Sequence, residues 1–318
     1  MRKLFCLLLA VMLLGLCGCT AAPQETTAPI ETTQVAAELP DPGEDGVINI
    51  LMVGNSFCYY YVEELNGIAK AAGIDMRVCN VYYSGCSMEK HYNWWVSNIS
   101  NYDFFVTDEN GRNKTVGCSL EYCFQQGNWD VISFQGFNGI GFNGDESTVQ
   151  AAIEKGKIHR DALIGRAREL FPKAEIYWHQ TWAHEVGYIS TSGTSKMESR
   201  EMQENYHRWT KEFTLRICEE QGIKRIPSGD AWQLVRYDPL INDTLCMRLN
   251  VNNGAGDHYH DGDIGGAQYL NACVWFEVLT GQSCIGNTWR PENYPLTEEK
   301  IALFQEGAHQ AVAAMNAG

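Results

Sequence analysis

Ser56 combines a nucleophilic side chain with a sequence context that can expose it. It follows a stretch of strand length, residues 49–53, that is apolar after Asn49, and it precedes a helix-like stretch over residues 60–72. A serine at such a corner is held out of the sheet, and backbone N–H groups of the new helix point toward its oxygen. A turn or a helix cap is the alternative for Ser56. Far along the chain, the spacing of Asp257 and His260 lets one loop present a carboxylate and an imidazole to the same point.

The elements that must position these residues alternate between strand-like and helix-like patterns. Core strands are predicted over residues 47–53, 76–82, 131–134, 175–180 and 224–227. Helices are predicted over residues 87–97, 148–170, 202–220, 266–280 and 297–315, and a β-hairpin insertion pairs residues 102–106 with 119–124 around a turn at 108–111. This alternation predicts an α/β fold with a parallel sheet between two helix layers. A ligand is then expected beyond the carboxyl ends of the strands, where Ser56 lies.

Two short motifs resemble those of a known superfamily. The sequence Gly54-Asn55-Ser56-Phe57, together with Asp257 and His260, resembles the SGNH (GDSL-like) hydrolases, and the similarity covers most of the chain after residue 45. It is strongest to a bacterial branch, often lipoproteins, whose members mostly lack an assigned substrate. The resemblance implies a flavodoxin-like three-layer α/β/α sandwich, serine ester hydrolysis and no cofactor. Asn55 stands where the family has Asp, so the acceptor oxygen is kept and the charge is lost.

The resemblance also implies the catalytic roles. Ser56 would attack the ester carbonyl, and His260 would take its proton and return it to the leaving alcohol. Asp257 would hold the imidazole in the correct tautomer and stabilise the imidazolium. A catalytically idle carbohydrate-binding lipoprotein on the same fold is the alternative function.

The oxyanion donors are less fully defined by the motifs. The family's second block, a glycine after the second strand, maps onto Gly85. Its third block, Gly-x-Asn-Asp, maps onto Gly136 and Asn138, but Gly139 follows in place of Asp, and Gln135 is a second source of an amide. The candidate donors are therefore the backbone N–H groups of Ser56 and Gly85 and the side-chain amide of Asn138 or Gln135.

The segment 257–263 also admits a metal-binding interpretation, because it holds His258, His260 and three aspartates. Zinc sites usually draw their ligands from separate elements and need a rigid geometry. We therefore predict no metal site and keep metal-dependent hydrolysis as the alternative chemistry.

Several polar and aromatic residues follow the predicted strands and are candidates for substrate contact. They are Asn55, His91, His179 and Trp182. For the two histidines the alternative is a packed, hydrogen-bonded ring in the core. Aromatic side chains near the same edge, at Tyr59, Tyr60, Trp94, Trp95 and Trp182, suit the faces of sugars, although most tryptophans belong to cores. The expected substrate is a small-molecule or glycan ester, and the expected reaction is removal of an acyl group such as acetyl.

The first residues form a targeting segment. Arg2 and Lys3 precede an apolar stretch over residues 4–16 that is too short to span a bilayer. The sequence Leu16-Cys17-Gly18-Cys19 resembles a lipobox, which implies cleavage before Cys19 and lipid attachment there; an ordinary secretory signal is the alternative. We predict a signal peptide over residues 1–18, a disordered tether over 19–45 that is rich in Thr and Pro, and the hydrolase domain over 46–318. The expected location is the extracellular face of a bacterial membrane.

Composition narrows the partners further. The formal net charge is −15, and no basic patch or aromatic-basic stretch is visible in the sequence, so we predict that nucleic acid is not a partner. Of the 12 cysteines, Cys118 and Cys123 flank a short segment and are candidates for a disulfide, which export would permit. The oligomeric state and the pairing of the cysteines stay open.

Overall fold

The computed structural model describes residues 43–136, 140–189, 195–241, 267–292 and 296–317. Its strands are β1 (Val47–Gly54), β2 (Asp75–Tyr82), β3 (Tyr102–Asp108), β4 (Gly111–Cys118), β5 (Val131–Phe134), β6 (Glu175–His179) and β7 (Lys224–Ile226). Its helices are a 3-10 turn (Ser56–Cys58), α1 (Val62–Ala71), α2 (Met88–Val96), α3 (Leu120–Phe124), α4 (Glu146–Leu170), α5 (Arg200–Gln221), α6 (Ser228–Val235), α7 (Ala267–Thr280) and α8 (Glu298–Ala317). No helix in these ranges is long and apolar enough to cross a membrane.

A single mixed sheet organises the described strands in the order β4-β3-β2-β1-β5-β6-β7. Strands β2, β1, β5, β6 and β7 are mutually parallel, and their order is that of the flavodoxin-like sheet. The order reverses between β1 and β5, and ligands of such sheets bind at this reversal, which lies beside Ser56. The predicted α/β fold is confirmed.

The hairpin differs from the prediction in two ways. Strand β3 pairs antiparallel with β2, so the hairpin extends the central sheet and makes it mixed. The second hairpin strand is β4 (Gly111–Cys118), whereas residues 119–124 were predicted as that strand. They form α3 because the Ser119 side chain accepts the Tyr122 N–H at 3.1 Å and caps a helix.

Two apolar layers cover the sheet, one on each face. Within β1, Ile50 and Met52 pack against the layer formed by α1, α6, α7 and α8. Leu51 and Val53 point to the opposite face and pack against the layer formed by α2, α3, α4 and α5. Because successive residues of a strand face opposite sides, a continuous apolar run is what a strand buried on both faces requires. Helix α6 had no counterpart in the prediction, and the cysteines of the described ranges are free thiols.

The contact between α1 and Trp289 yields a test of this packing. A Cβ added at Gly67 would lie 2.1 Å from the Trp289 indole nitrogen, whereas one at Gly156 in α4 would meet nothing within 4 Å. We expect Gly67→Ala to lower the free energy of unfolding by about 1–3 kcal/mol, because the indole ring must move. Gly156→Ala is the matched control and should raise it by about 0.5–1 kcal/mol. Urea denaturation measures both, and an unchanged midpoint for Gly67→Ala would contradict the packing.

Candidate active site

The corner after β1 places Ser56 at the carboxyl end of the sheet. Strand β1 ends at Gly54, and Ser56 opens the 3-10 turn, in which Cys58 N–H donates to the Asn55 carbonyl at 3.1 Å. Ser56 is buried, with 7% of the residue exposed. Within the described ranges no side chain pairs with its hydroxyl. Ser56 therefore lies at the strand-to-helix corner that the sequence predicts.

Asn55 holds this corner through both ends of its side chain. Its Oδ1 accepts the Phe57 N–H at 3.1 Å, and its Nδ2 donates to the Cys86 carbonyl at 3.0 Å. The bond to the Cys86 carbonyl needs an N–H donor, which an ionised aspartate lacks. Asn55, which replaces the family's Asp, therefore makes a hydrogen bond that Asp could not make. Asn55 is fully buried. We therefore revise its predicted contact with substrate to a positioning role.

Gln135 and Gly85 reach the same corner from the neighbouring strands. The Asn55 N–H donates to Gln135 Oε1 at 3.2 Å, which fixes the orientation of the amide and leaves its NH₂ end as the donor. Gly85 lies in a turn closed by Cys86 N–H and the Tyr83 carbonyl at 3.1 Å, with a positive φ of 62° that favours glycine. Asn55 therefore makes hydrogen bonds both to Gln135 and to the end of the turn that contains Gly85. Both predicted sources of oxyanion donors are thus connected to the residue next to Ser56.

His91 lies beneath the corner and not in the crevice. It is fully buried, its Nε2 lies 3.1 Å from the Gly54 carbonyl, and its Nδ1 lies 2.9 Å from the Tyr102 hydroxyl. A carbonyl only accepts, so Nε2 carries the hydrogen and Nδ1 accepts from Tyr102. Burial lowers the pKa of His91 to about 4, which keeps the ring neutral at pH 7. The predicted substrate contact is thus replaced by a hydrogen bond that positions Gly54.

His179 and Trp182 are also buried, at 1% and 3% exposure. His179 Nε2 lies 3.0 Å from the Ser228 hydroxyl, and burial lowers the pKa of this imidazole to about 3. The Trp182 ring packs 4.8 Å from the ring of Phe57. His91 and His179 are therefore packed, hydrogen-bonded rings in the core, which was the alternative to substrate contact. Trp182 is a core residue that packs against Phe57.

The predicted aromatic platform is divided into separate groups. Tyr59 contacts Tyr60 and stacks on Tyr82 with ring centroids 4.5 Å apart, on the hairpin side of the corner. Trp94 contacts Tyr83, and the Trp95 indole donates to Glu121 at 2.7 Å. These groups cannot form one sugar-binding surface together with the buried Trp182.

A different group of rings lies beside Phe57, and sequence reasoning missed it. We name it the aromatic cluster: Phe142, His184, Tyr188 and Tyr206, all half-buried. Phe142 meets the other three rings edge-on at centroid distances of 5.3 to 6.1 Å, and His184 lies 6.0 Å from Phe57. The four residues come from two loops and α5, so no local pattern in the sequence linked them.

Some predicted residues lie outside the described ranges. They are Asp257, His260, Asn138 and Cys19, together with the segment considered for a metal. Among the described residues, no group of three or more His, Cys, Asp or Glu side chains is arranged to hold a metal ion.

Comparison with known proteins identifies the family. The model of the family described as domain of unknown function DUF4886 matches residues 49–311, and the chain belongs to this family. No curated protein matches the sequence. A crystal structure of a DUF4886 family protein from Bacteroides uniformis is 25% identical, with a TM-score of 0.68, over 84% of this chain and 95% of that chain.

Two further solved structures match the chain at lower identity and lower TM-score. A candidate GDSL-like lipase from Parabacteroides merdae is 15% identical, with a TM-score of 0.42, over 76% of this chain and 97% of that one. An acetylxylan esterase from Geobacillus stearothermophilus is 13% identical, with a TM-score of 0.41, over 77% and 97% of the two chains. The relationship to the SGNH/GDSL-like superfamily stays a prediction from the sequence motifs, and the substrate is unassigned.

The buried His91 leads to a pH test of the corner. Its pKa is about 4 in the folded protein and about 6.5 in an unfolded chain, so protons favour unfolding between these values. Stability from this group is intact above pH 6.5 and is lost as the pH falls, by about 2 kcal/mol between pH 7 and pH 5.

We expect His91→Gln to remove that part of the pH dependence, because glutamine does not titrate. Tyr102→Phe is the control, since it keeps the buried imidazole and should retain the slope. Urea unfolding at pH 7 and pH 5 measures the difference. A slope that is the same in wild type and His91→Gln would contradict a neutral, buried His91.

Proposed function

We propose that the chain is a serine esterase that acts through Ser56, His260 and Asp257. The observation that carries the proposal is the position of Ser56: it opens a helical turn at the carboxyl end of β1, beside the point where the strand order reverses. His260 acts as general base and then as general acid, and Asp257 fixes its tautomer. The ester carbon is attacked by Ser56 Oγ, the alcohol leaves, and water releases the acyl group from the serine.

The oxyanion of the tetrahedral intermediate needs donors that are already in place. The N–H groups of Ser56 and Gly85 and the NH₂ group of Gln135 supply them in this proposal, with Asn138 as the alternative amide. The hydrogen bonds of Asn55 support this assignment, because they tie Gln135 and the turn containing Gly85 to the serine corner. Donors that are oriented before the reaction lower its barrier most.

The substrate that we propose is an acetylated glycan. The aromatic cluster supports it, because His184, one of its half-buried rings, contacts Phe57, the residue after the nucleophile, and aromatic rings are groups that sugar faces contact. The lipobox at Cys19 supports an extracellular substrate, since a lipid-anchored enzyme outside the cell meets polymers there. The competing proposal is a catalytically idle carbohydrate-binding lipoprotein.

Hydrolysis of p-nitrophenyl acetate by the purified domain separates these proposals. We expect Ser56→Ala and His260→Ala to lower kcat/KM by about a thousandfold or more, because each removes an essential member of the triad. His309→Ala is the matched control, because it removes an imidazole of α8 that contacts Glu277 at 3.1 Å and has no proposed role in the reaction, and it should stay within about tenfold of wild type. Equal inactivity of wild type and Ser56→Ala across acyl esters would favour the idle binding protein. Activity that survives Ser56→Ala but is lost with a chelator would favour metal-dependent hydrolysis.

The amide that completes the oxyanion hole is found by comparing two variants. We expect Gln135→Ala to lower kcat by about 10²–10³-fold with little change in KM, because the donor acts on the transition state. Asn138→Ala should cost less than tenfold. The reverse order of the two losses would assign the role to Asn138.

A further inference from the structure

One lysine and two aromatic side chains lie beside the turn that contains Gly85. Tyr83 follows β2 and is 36% exposed, and its ring contacts that of Trp94 in α2 at 4.6 Å. The Lys90 ammonium lies 4.9 Å from the centroid of the Tyr83 ring and 5.6 Å from that of Trp94. We name these three residues the Lys90 patch.

Lys90 has no carboxylate partner in the part of the chain that the structure describes. The adjacent Glu89 points elsewhere, because consecutive residues of a helix do not face each other. Across the sheet edge, Asp103 is already paired with Lys114 at 3.3 Å. In a chain with a net charge of −15, a cation that lies over two rings and has no carboxylate partner among the described residues is a feature that needs an explanation.

The patch is joined to the serine corner through packed side chains. Tyr83 begins the turn that contains Gly85, and the Cys86 carbonyl at the end of that turn accepts from Asn55. Trp94 packs 5.1 Å from Tyr102, whose hydroxyl bonds to His91 under the corner. A group bound at the patch therefore lies beside the oxyanion turn.

We propose that the Lys90 patch binds a sugar residue that carries a carboxylate. The rings of Tyr83 and Trp94 contact the apolar C–H face of the sugar, and the Lys90 ammonium donates to the carboxylate. One isolated acidic sugar fits better than a polyanion, because the net charge repels extended negative chains while a local cation still attracts one group. The inference deepens the proposed function by naming the sugar next to the ester, and the glycan-ester chemistry rests on that function.

Binding is measured by calorimetry with the full chain carrying Ser56→Ala, so that no ester is cleaved. The probes are a xylotriose with one glucuronic acid branch and the methyl ester of the same oligosaccharide, in which one methyl group removes the charge. We expect the acid to bind about fivefold more tightly than its methyl ester, a preference that shrinks in about 1 M salt. Lys90→Met in the same background should abolish the preference, and Lys90→Arg should retain it.

Each outcome decides the proposal. Equal affinity for the acid and its methyl ester, or no binding of either, would overturn it, and neither result depends on whether a Lys90 variant folds. A preference that persists in Lys90→Met would overturn the role of Lys90. The proposed function is judged separately by p-nitrophenyl acetate hydrolysis with the unmutated chain. Absent hydrolysis with a clear preference for the acid would reject the esterase and keep the sugar subsite.

Discussion

The close approach of Gln135 to the end of β1 is the constraint on which the serine corner depends. A Cβ at Gly54 would lie 2.6 Å from Gln135 Oε1, so any side chain there would push the glutamine away. Only with glycine at 54 does the Asn55 N–H reach that oxygen. The bond closes the corner at the boundary between β1 and β5, where the sheet reverses its order. The position of Ser56 therefore depends on having glycine at position 54 as much as on the hydrogen bond between Asn55 and Gln135.

The interior of the corner is polar but uncharged. Gly54, Asn55 and Gln135 bury backbone and amide groups, and leaving any one of them without a partner would cost about 1–3 kcal/mol. Neutral side chains satisfy them: His91 donates without a charge because burial keeps its pKa low, and Asn55 donates where an aspartate would only accept. A charged support would place a fixed field beside the nucleophile. Because His91 and Asn55 are neutral, the electric field at Ser56 is set by the groups that face the substrate.

Much of the fold could be predicted from the sequence because periodicity reports burial. The apolar run at residues 49–53 indicated a strand covered on both faces, and the alternation of elements indicated the order of the layers. Residues 119–124 were predicted as a strand because of their aromatic content. They form a helix because the Ser119 side chain caps its first turn. Helix α6 is short and opens with Ser228 and Gly229, which resemble a loop. Local pattern does not reveal a cap or a short buried helix.

The candidate site was predictable only in part, for a physical reason. Motif order located Ser56 and Gly85, but it could not show that His91, His179 and Trp182 point inward. Side-chain direction depends on which helix packs over the strand end, and that is a tertiary property. The contacts between Lys90 and its two rings, and those of Phe142 with His184, join residues from different elements. No spacing along the chain encodes such contacts.

The central claim is that Ser56 is a nucleophile held ready by this scaffold. Its most direct test is labelling of the purified protein with a fluorophosphonate, followed by peptide mass spectrometry. The account predicts a single covalent adduct on the peptide containing Ser56, and no adduct in Ser56→Ala. An esterase-active protein that is labelled at another residue, or that is not labelled at all, would contradict it.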